Sequence, residues 1–116
     1  MTIQFSPASL LEPDIAVIPS SNLIKSDAGF VSVEHGSCLL IVEIAATTLT
    51  YDKGRKALQY ARYGVQEFWV VDANERITWI HTGPSGDGWS SIVKRSADET
   101  LTTPALPRLA IKLSDI

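Results

Sequence analysis

CLLIVEIAATT, residues Cys38–Thr48, is an almost continuous run of apolar and β-branched residues that contains one carboxylate, Glu43. Such a run is typical of a strand covered on both faces of its sheet. A carboxylate inside it is costly unless a cation, a metal or several hydrogen-bond donors compensate its charge. We therefore expect Glu43 to have a partner of one of these kinds.

The residues after this strand change from the period of a strand to that of a helix. Apolar residues recur at i, i+3 and i+7 between Leu58 and Val65, which predicts an amphipathic helix. Thr50 or Asp52 is suited to cap its N-terminus, and Gly64 is suited to end it in a left-handed conformation. The helix therefore has a predicted beginning and end.

Further strands are predicted on both sides of this helix. The order of strand, helix and strand favours a parallel βαβ crossover, because a helix of about three turns fits the distance between two buried strands. Two alternating runs around the connector TGPSGDG predict a β-hairpin. The predicted strands, besides Cys38–Ala45, are Ile15–Ile18, Glu67–Asp72, the hairpin strands Arg76–His81 and Trp89–Lys94, and Leu109–Leu113.

Length and composition limit the classes of protein to which the chain can belong. Its 116 residues suffice for one domain, 1–116, and its formal net charge of −3 removes the simplest argument for nucleic-acid binding, a strongly basic surface. The single cysteine, Cys38, cannot form an intramolecular disulfide. No apolar run approaches the roughly 20 residues needed to cross a bilayer. We expect a cytoplasmic protein that does not enter a membrane.

Several conspicuous residues have ordinary structural interpretations. The Gly-rich segment Gly83–Gly88 lacks the Lys-Ser/Thr ending of a phosphate-binding loop and is read as a hairpin turn. Neither His35 nor His81 has an acid or nucleophile at a spacing that indicates catalysis, so both are interpreted as surface histidines or as satisfied strand histidines. Asp72 is interpreted as a turn or cap residue. The three tryptophans lie in alternating strands without basic residues between them, which favours packing over base stacking.

Three charged residues form a candidate site. Asp14 opens one strand, Glu43 lies inside another, and Lys56 is in the first turns of the helix that follows the Glu43 strand. Two carboxylates on neighbouring strands can share a hard divalent cation such as Mg²⁺, and a nearby lysine can orient water or stabilise charge on a phosphoryl group. The alternative is a structural Glu43–Lys56 ion pair, with Asp14 an ordinary strand-entry residue.

The block VEIAATTLTYDKGRKALQYARYGVQEFWVVD, between LEPDIAVI and TTPALPRLAIKLSDI, resembles the Uma2 family of the PD-(D/E)xK nuclease superfamily. The segment D-x-G-x-K-x-x-x-Y-A-R-x-G carries much of this resemblance. It implies an α/β, restriction-endonuclease-like fold: a mixed β-sheet with a flanking helix and a C-terminal β-hairpin. It also implies a metal-dependent endonuclease that hydrolyses DNA phosphodiester bonds.

The resemblance also assigns the metal-binding residues. Asp14 matches the aspartate of the PD motif and Glu43 the strand glutamate, so both are expected to ligate Mg²⁺ or Mn²⁺, together with the backbone carbonyl of Ile44. In the usual E-x-K pattern the lysine follows the glutamate by two residues, and Ala45 occupies that position here. Lys56 matches the helix lysine that replaces it in the family.

Two further positions of the family pattern fall on Asp52 and Tyr60, which are expected to support the helix and the lysine. Family members usually carry an N-terminal helix and strands before the PD strand, and we expect this chain to be shortened there or to start downstream of the natural start. DNA binding is expected to be weak and assisted by metal. The alternative is a catalytically inactive module that forms homo-oligomers, such as a dimer, through an exposed sheet edge.

Overall fold

The computed structural model describes residues 2–6, 9–25 and 31–116. Within these ranges the chain forms strands, one long helix and two short 3₁₀ turns, Ser20–Asn22 and Leu113–Asp115. The strands are β1 (Ile3–Ser6), β2 (Ser9–Leu11), β3 (Ile15–Val17), β4 (Leu23–Lys25), β5 (Val31–Val33), β6 (Leu40–Ala45), β7 (Glu67–Asp72), β8 (Ile77–Ser85), β9 (Gly88–Arg95), β10 (Leu101–Thr103) and β11 (Leu106–Ile111).

The central sheet is mixed and has the strand order β3-β6-β7-β8-β9. β6 and β7 are parallel and are joined through the long helix, whereas the other neighbouring strands pair antiparallel. β6 and β7 are buried along nearly their whole length, which explains their near-continuous apolar sequences. The predicted βαβ unit and hairpin are confirmed.

The long helix extends from 49 to 62 and has a π-helical segment within it. It consists of an α-helical turn (Leu49–Tyr51), the π segment (Asp52–Lys56) and a second α-helical segment (Ala57–Arg62). Gly64 follows with φ +72°, and the N–H of Val65 donates to the carbonyl of Tyr60. This arrangement closes the last turn as a Schellman motif, so the predicted left-handed glycine end is confirmed.

Two apolar cores lie on the two faces of the central sheet. The first packs the long helix and the smaller sheet β2-β1-β5-β4 against the central sheet, with Tyr60 and Phe68 among its fully buried side chains. The second lies beneath the β10–β11 hairpin, where Leu101 covers Trp69. Thr103 fastens this hairpin to the sheet by donating a hydrogen bond to the buried carboxylate of Glu67.

Some predicted boundaries were wrong. The hairpin strands extend into the connector TGPSGDG, so that only Gly86 and Asp87 remain in the turn. Gly83 and Gly88 lie within the strands with positive φ, a conformation that glycine adopts without strain. The last strand ends at Ile111 rather than Leu113, which lies in a 3₁₀ turn.

The prediction of a helix cap was also wrong. The two predicted caps, Thr50 and Asp52, lie inside the helix, where the carboxylate of Asp52 is buried. Thr48 precedes the helix without making a side-chain cap bond. The described part of the chain contains no helix of the length and apolar character that a membrane crossing requires.

Candidate active site

Glu43 lies on β6 with its side chain directed toward the long helix, and only 4% of the residue is exposed. The ammonium of Lys56 contacts its Oε2 at 2.8 Å. The hydroxyl of Tyr60 donates a hydrogen bond of 3.2 Å to its Oε1. Both partners come from the long helix, four residues apart, so they lie on the same helix face. The buried carboxylate therefore has the compensation that its apolar surroundings require.

The electrostatics of this contact determine which groups are charged. Burial raises the pKa of Glu43 above its ordinary value near 4.5, and the hydrogen bond and charge of Lys56 oppose this rise. Burial acts to lower the pKa of Lys56, but Glu43 and then Asp52 outweigh it and raise that pKa above its ordinary value near 10.5. Lys56 is therefore an ammonium at neutral pH. Burial, followed by the charge of Glu43, also raises the pKa of Tyr60, which remains a hydrogen-bond donor.

Asp52 provides the second anionic neighbour of Lys56. Its Oδ1 lies 3.6 Å from the lysine Nζ, and its Oδ2 accepts a hydrogen bond of 2.9 Å from the hydroxyl of Thr48. Oδ1 is buried and has no hydrogen-bond partner among the described residues. Asp52 and Lys56 are the first and last residues of the π segment. Such segments are uncommon and recur at functional sites, where they redirect side chains.

Asp14 lies immediately before β3, which pairs antiparallel with β6. Its Oδ2 accepts a hydrogen bond of 2.7 Å from the backbone N–H of Ile44. This bond continues the ladder beyond the first residue of β3 and holds the carboxylate beside Glu43, where its charge contributes to raising the pKa of that residue. The other oxygen, Oδ1, has no hydrogen-bond partner in the part of the chain that the structure describes.

The carbonyl of Ile44 lies on the same edge of β6. The N–H and C=O of one strand residue point toward the same neighbour, so this carbonyl points toward β3 as the N–H does. The register, extended from Ile15 opposite Val42, places Pro13 opposite Ile44. Proline has no N–H to donate, so residue 13 leaves this carbonyl without its ladder donor.

A family model described as "Uma2: Putative restriction endonuclease" matches residues 1–114. The chain belongs to the Uma2 family. Among solved structures it is similar to a crystal structure of "a putative nuclease belonging to DUF820" from Anabaena variabilis, with a TM-score of 0.72 and 17% sequence identity. The similarity covers 98% of this chain and 63% of that one, so this chain spans 63% of that protein's length. No curated protein matches it.

These comparisons confirm the predicted family and the restriction-endonuclease-like fold. The structure of this Uma2 chain also brings the predicted site residues together: Asp14, Glu43, Ile44, Asp52, Lys56 and Tyr60. Tyr60 contacts the glutamate rather than the lysine. The ion pair that was the structural alternative is present, and it shares its carboxylate with the candidate metal site.

The oxygen atoms at this site fit a hard divalent cation. Within the described ranges, Asp14 Oδ1 has no hydrogen-bond partner, and Pro13 leaves the Ile44 carbonyl without a ladder donor. Each oxygen of Glu43 has a second lone pair beyond its present hydrogen bond. Among the described residues, no group of three or more Asp, Glu, His or Cys side chains could hold a metal. Two carboxylates and a carbonyl leave the remaining positions to water and phosphate, as Mg²⁺ sites commonly do.

Residues outside the predicted set also contribute to this Uma2 site. Thr48 orients Asp52, and Pro13 frees the Ile44 carbonyl. The position of Thr48, four residues before Asp52 at a helix start, is a signal from which its contact could have been predicted. The role of Pro13 depends on its partner across the β3–β6 ladder, which lies 31 residues away in sequence (44 − 13) and is not evident from local spacing.

Proposed function

We propose that the chain is a metal-dependent endonuclease that hydrolyses DNA phosphodiester bonds. The observation that carries the proposal is that Asp14 and the Ile44 carbonyl lie at the β3-facing edge of β6, next to the Glu43 carboxylate that the Lys56 ammonium contacts. The family description and the name of the structural neighbour support a nuclease. DNA is the corresponding substrate of an enzyme described as a restriction endonuclease.

Asp14, Glu43 and the carbonyl of Ile44 are the residues that would hold Mg²⁺ or Mn²⁺. When bound, the cation supplies positive charge that stabilises the negative charge developing on the phosphate and lowers the pKa of bound water. Lys56 acts as an electrostatic group and not as a base, because its raised pKa keeps its proton at neutral pH. Its ammonium can donate a hydrogen bond to a phosphate oxygen or to the attacking water.

Tyr60 and Asp52 position these groups. The Tyr60 hydroxyl holds one oxygen of Glu43, which limits rotation of the carboxylate. Asp52, oriented by Thr48, lies 3.6 Å from the lysine ammonium as its second anionic neighbour. A charged group fixed before substrate arrives needs little reorganisation in the transition state, which is the main source of electrostatic catalysis.

A nicking assay on supercoiled plasmid with Mg²⁺ or Mn²⁺ tests the proposal. Asp14→Asn, Glu43→Gln and Lys56→Met are each expected to reduce the rate by roughly 100-fold or more, by analogy with the loss of one charge-stabilising group. Asp87→Asn and Lys112→Met change the same charges at exposed positions outside the site and should retain wild-type rates. Equal nicking by all six proteins would contradict the proposal.

Metal binding is tested separately by the shift of the melting temperature with Mn²⁺. Glu43→Gln and Asp14→Asn should abolish the shift, because each removes a negatively charged ligand. Lys56→Met should retain or increase it, because the ammonium competes for Oε2 of Glu43. A purely structural ion pair predicts no Mn²⁺ shift in any of these proteins.

The non-catalytic oligomerisation module is the second candidate. The observation that favours it is β9, an eight-residue strand at the edge of the central sheet within the described residues, with Ile92 57% exposed. Unpaired edge strands can pair with a second chain. Light scattering that gives a stable dimer, combined with no Mn²⁺ shift and no nicking, would favour this module over the nuclease.

A further inference from the structure

A row of side chains continues across the central sheet from the candidate site. Glu43 on β6 is opposite Val70 on β7, which is opposite Trp79 on β8, which is opposite Lys94 on β9. Directly opposite residues in neighbouring strands have side chains on the same face of the sheet. Trp79 and Lys94 are therefore on the helix-facing side, two and three strands away from the glutamate.

The long helix places a second lysine over this row. The Nζ of Lys53 lies 3.6 Å from the centroid of the Trp79 ring, within the range of a cation–π contact. Lys53 and Lys94 are exposed, and Trp79 is half-buried. The Trp79 ring thus fixes the Lys53 ammonium over β8, on the face of the sheet that also carries Lys94 on the adjacent strand.

These two lysines differ from Lys56 and Arg95, the basic residues nearest to them that lie in ion pairs. Lys56 contacts Glu43 and Asp52, and Arg95 contacts Glu99. Within the described residues, no ion pair joins Lys53 or Lys94 to a carboxylate. Two ammonium groups carried on one face of adjacent elements, with no carboxylate in an ion pair with either, are suited to attract an anionic ligand.

We propose that Lys53, held by Trp79, and Lys94 form a subsite for a backbone phosphate of the nucleic-acid strand that enters the candidate active site. The inference rests on the proposed nuclease function. Two interstrand spacings separate Glu43 from Trp79, roughly 10 Å. At about 3.4 Å of helix axis for each nucleotide of one strand, this distance corresponds to roughly three nucleotide steps along a duplex. The subsite therefore contacts the strand beside the bond to be cleaved and not at it.

The charge of the chain makes such a subsite useful. The formal net charge is −3, so the whole molecule does not attract a polyanion. Lys53 and Lys94, which form no ion pair among the described residues, supply positive charge beside the site, where the substrate must lie. Phosphate contacts of this kind fix the register of a nucleic acid without reading its sequence. The subsite predicts binding that depends on salt and shows little sequence preference.

Fluorescence anisotropy with a short fluorescein-labelled DNA duplex, measured over a series of salt concentrations without divalent metal, tests the subsite. Lys53→Gln and Lys94→Gln should each weaken binding and reduce the slope of log affinity against log salt by about 1. Lys53→Arg keeps the charge and can stack on Trp79, so it should preserve the slope. Arg95→Gln is the matched control, because it removes one charge from the adjacent residue on the opposite face of β9.

The outcomes separate the subsite from the proposed function. Loss of slope in the two lysine variants but not in Arg95→Gln supports the subsite. If the wild type nicks and binds DNA but both lysine variants keep the wild-type slope, the subsite is overturned and the proposed function is not. No nicking and no DNA binding by the wild-type chain overturn both. Lys53 and Lys94 are exposed, so melting curves should match the wild type and exclude a folding defect.

Discussion

Lys56 Nζ lies 2.8 Å from Oε2 of Glu43, and this one contact has two opposed consequences. It compensates a carboxylate that is buried in an apolar strand, and it competes with any cation for the same oxygen. The ion pair and the candidate metal site therefore share one carboxylate. The extent to which a cation weakens the Lys56 contact depends on the metal concentration, because binding to the folded protein follows mass action.

The metal-free ion pair should contribute to stability. Lys56→Met is expected to lower the free energy of unfolding by roughly 2–4 kcal/mol, because it leaves the Glu43 charge buried without a cation. Glu43→Gln should cost less, since the amide oxygen can still accept from the Lys56 ammonium while the amide NH₂ donates to the Tyr60 hydroxyl oxygen. Urea unfolding measures both changes, with exposed Lys112→Met as the control. Equal stability of Lys56→Met and wild type would show that the contact has no structural role.

Pro13 should matter for metal binding more than for folding. Pro13→Ala introduces an N–H opposite Ile44, which can donate to the carbonyl that the proline leaves open. We expect this variant to fold and to show a smaller Mn²⁺-induced shift in melting temperature than the wild type. Pro19→Ala, outside the β3 pairing, should retain the full shift. A full shift in Pro13→Ala would remove the Ile44 carbonyl from the ligand set.

Two glycines of the helix region should respond oppositely to alanine. Gly54 has open space where a Cβ would lie, so Gly54→Ala should stabilise the protein by about 0.5–1 kcal/mol. Gly64 has φ +72°, and a Cβ there would lie 2.7 Å from Cε1 of His35 and 2.9 Å from the backbone nitrogen of Gly36. Gly64→Ala should therefore destabilise by more than about 1 kcal/mol. Thermal unfolding of both variants measures the contrast.

Local sequence patterns predicted the parts of the fold that depend on local physics. The strand Glu67–Asp72 was predicted to its exact limits because all but one of its residues are buried. Asp72 was placed as a turn residue, and its Oδ1 accepts hydrogen bonds from the N–H groups of Asn74 and Glu75. The Asp72 bonds lie within three residues along the chain. The strand pairs with β6 and β8, but its own apolar run is enough to indicate it.

Local sequence patterns did not predict the contacts between residues that are distant in sequence. Thr103 bonds Glu67 across 36 residues, and Lys53 meets Trp79 only because the helix crosses β8. The candidate site is intermediate between these cases. Glu43 and Lys56 were identified because strand and helix are consecutive, and Asp14 because it opens another predicted strand, an assignment that the family pattern also makes. The carbonyl freed by Pro13 required the register of the ladder.

His81 should make stability depend on pH below neutrality. It is 1% exposed, and its Nδ1 lies 3.0 Å from the carbonyl oxygen of Phe68, so it is a satisfied strand histidine as predicted. Burial lowers its pKa below the ordinary value near 6.5, although the carbonyls of Phe68 and Trp79 oppose this. In the window below 6.5 the unfolded chain binds the proton that the folded chain excludes. Stability therefore falls as pH falls through that window.

Urea unfolding at a series of pH values from neutral to mildly acidic checks this dependence. His81→Phe loses the hydrogen bond to Phe68 and should be less stable at neutral pH, but its stability should change less with pH than that of the wild type. His35→Phe is the matched control, because it replaces an exposed histidine in the same way. It should keep the wild-type slope. An unchanged slope in His81→Phe would assign the acid sensitivity to other groups.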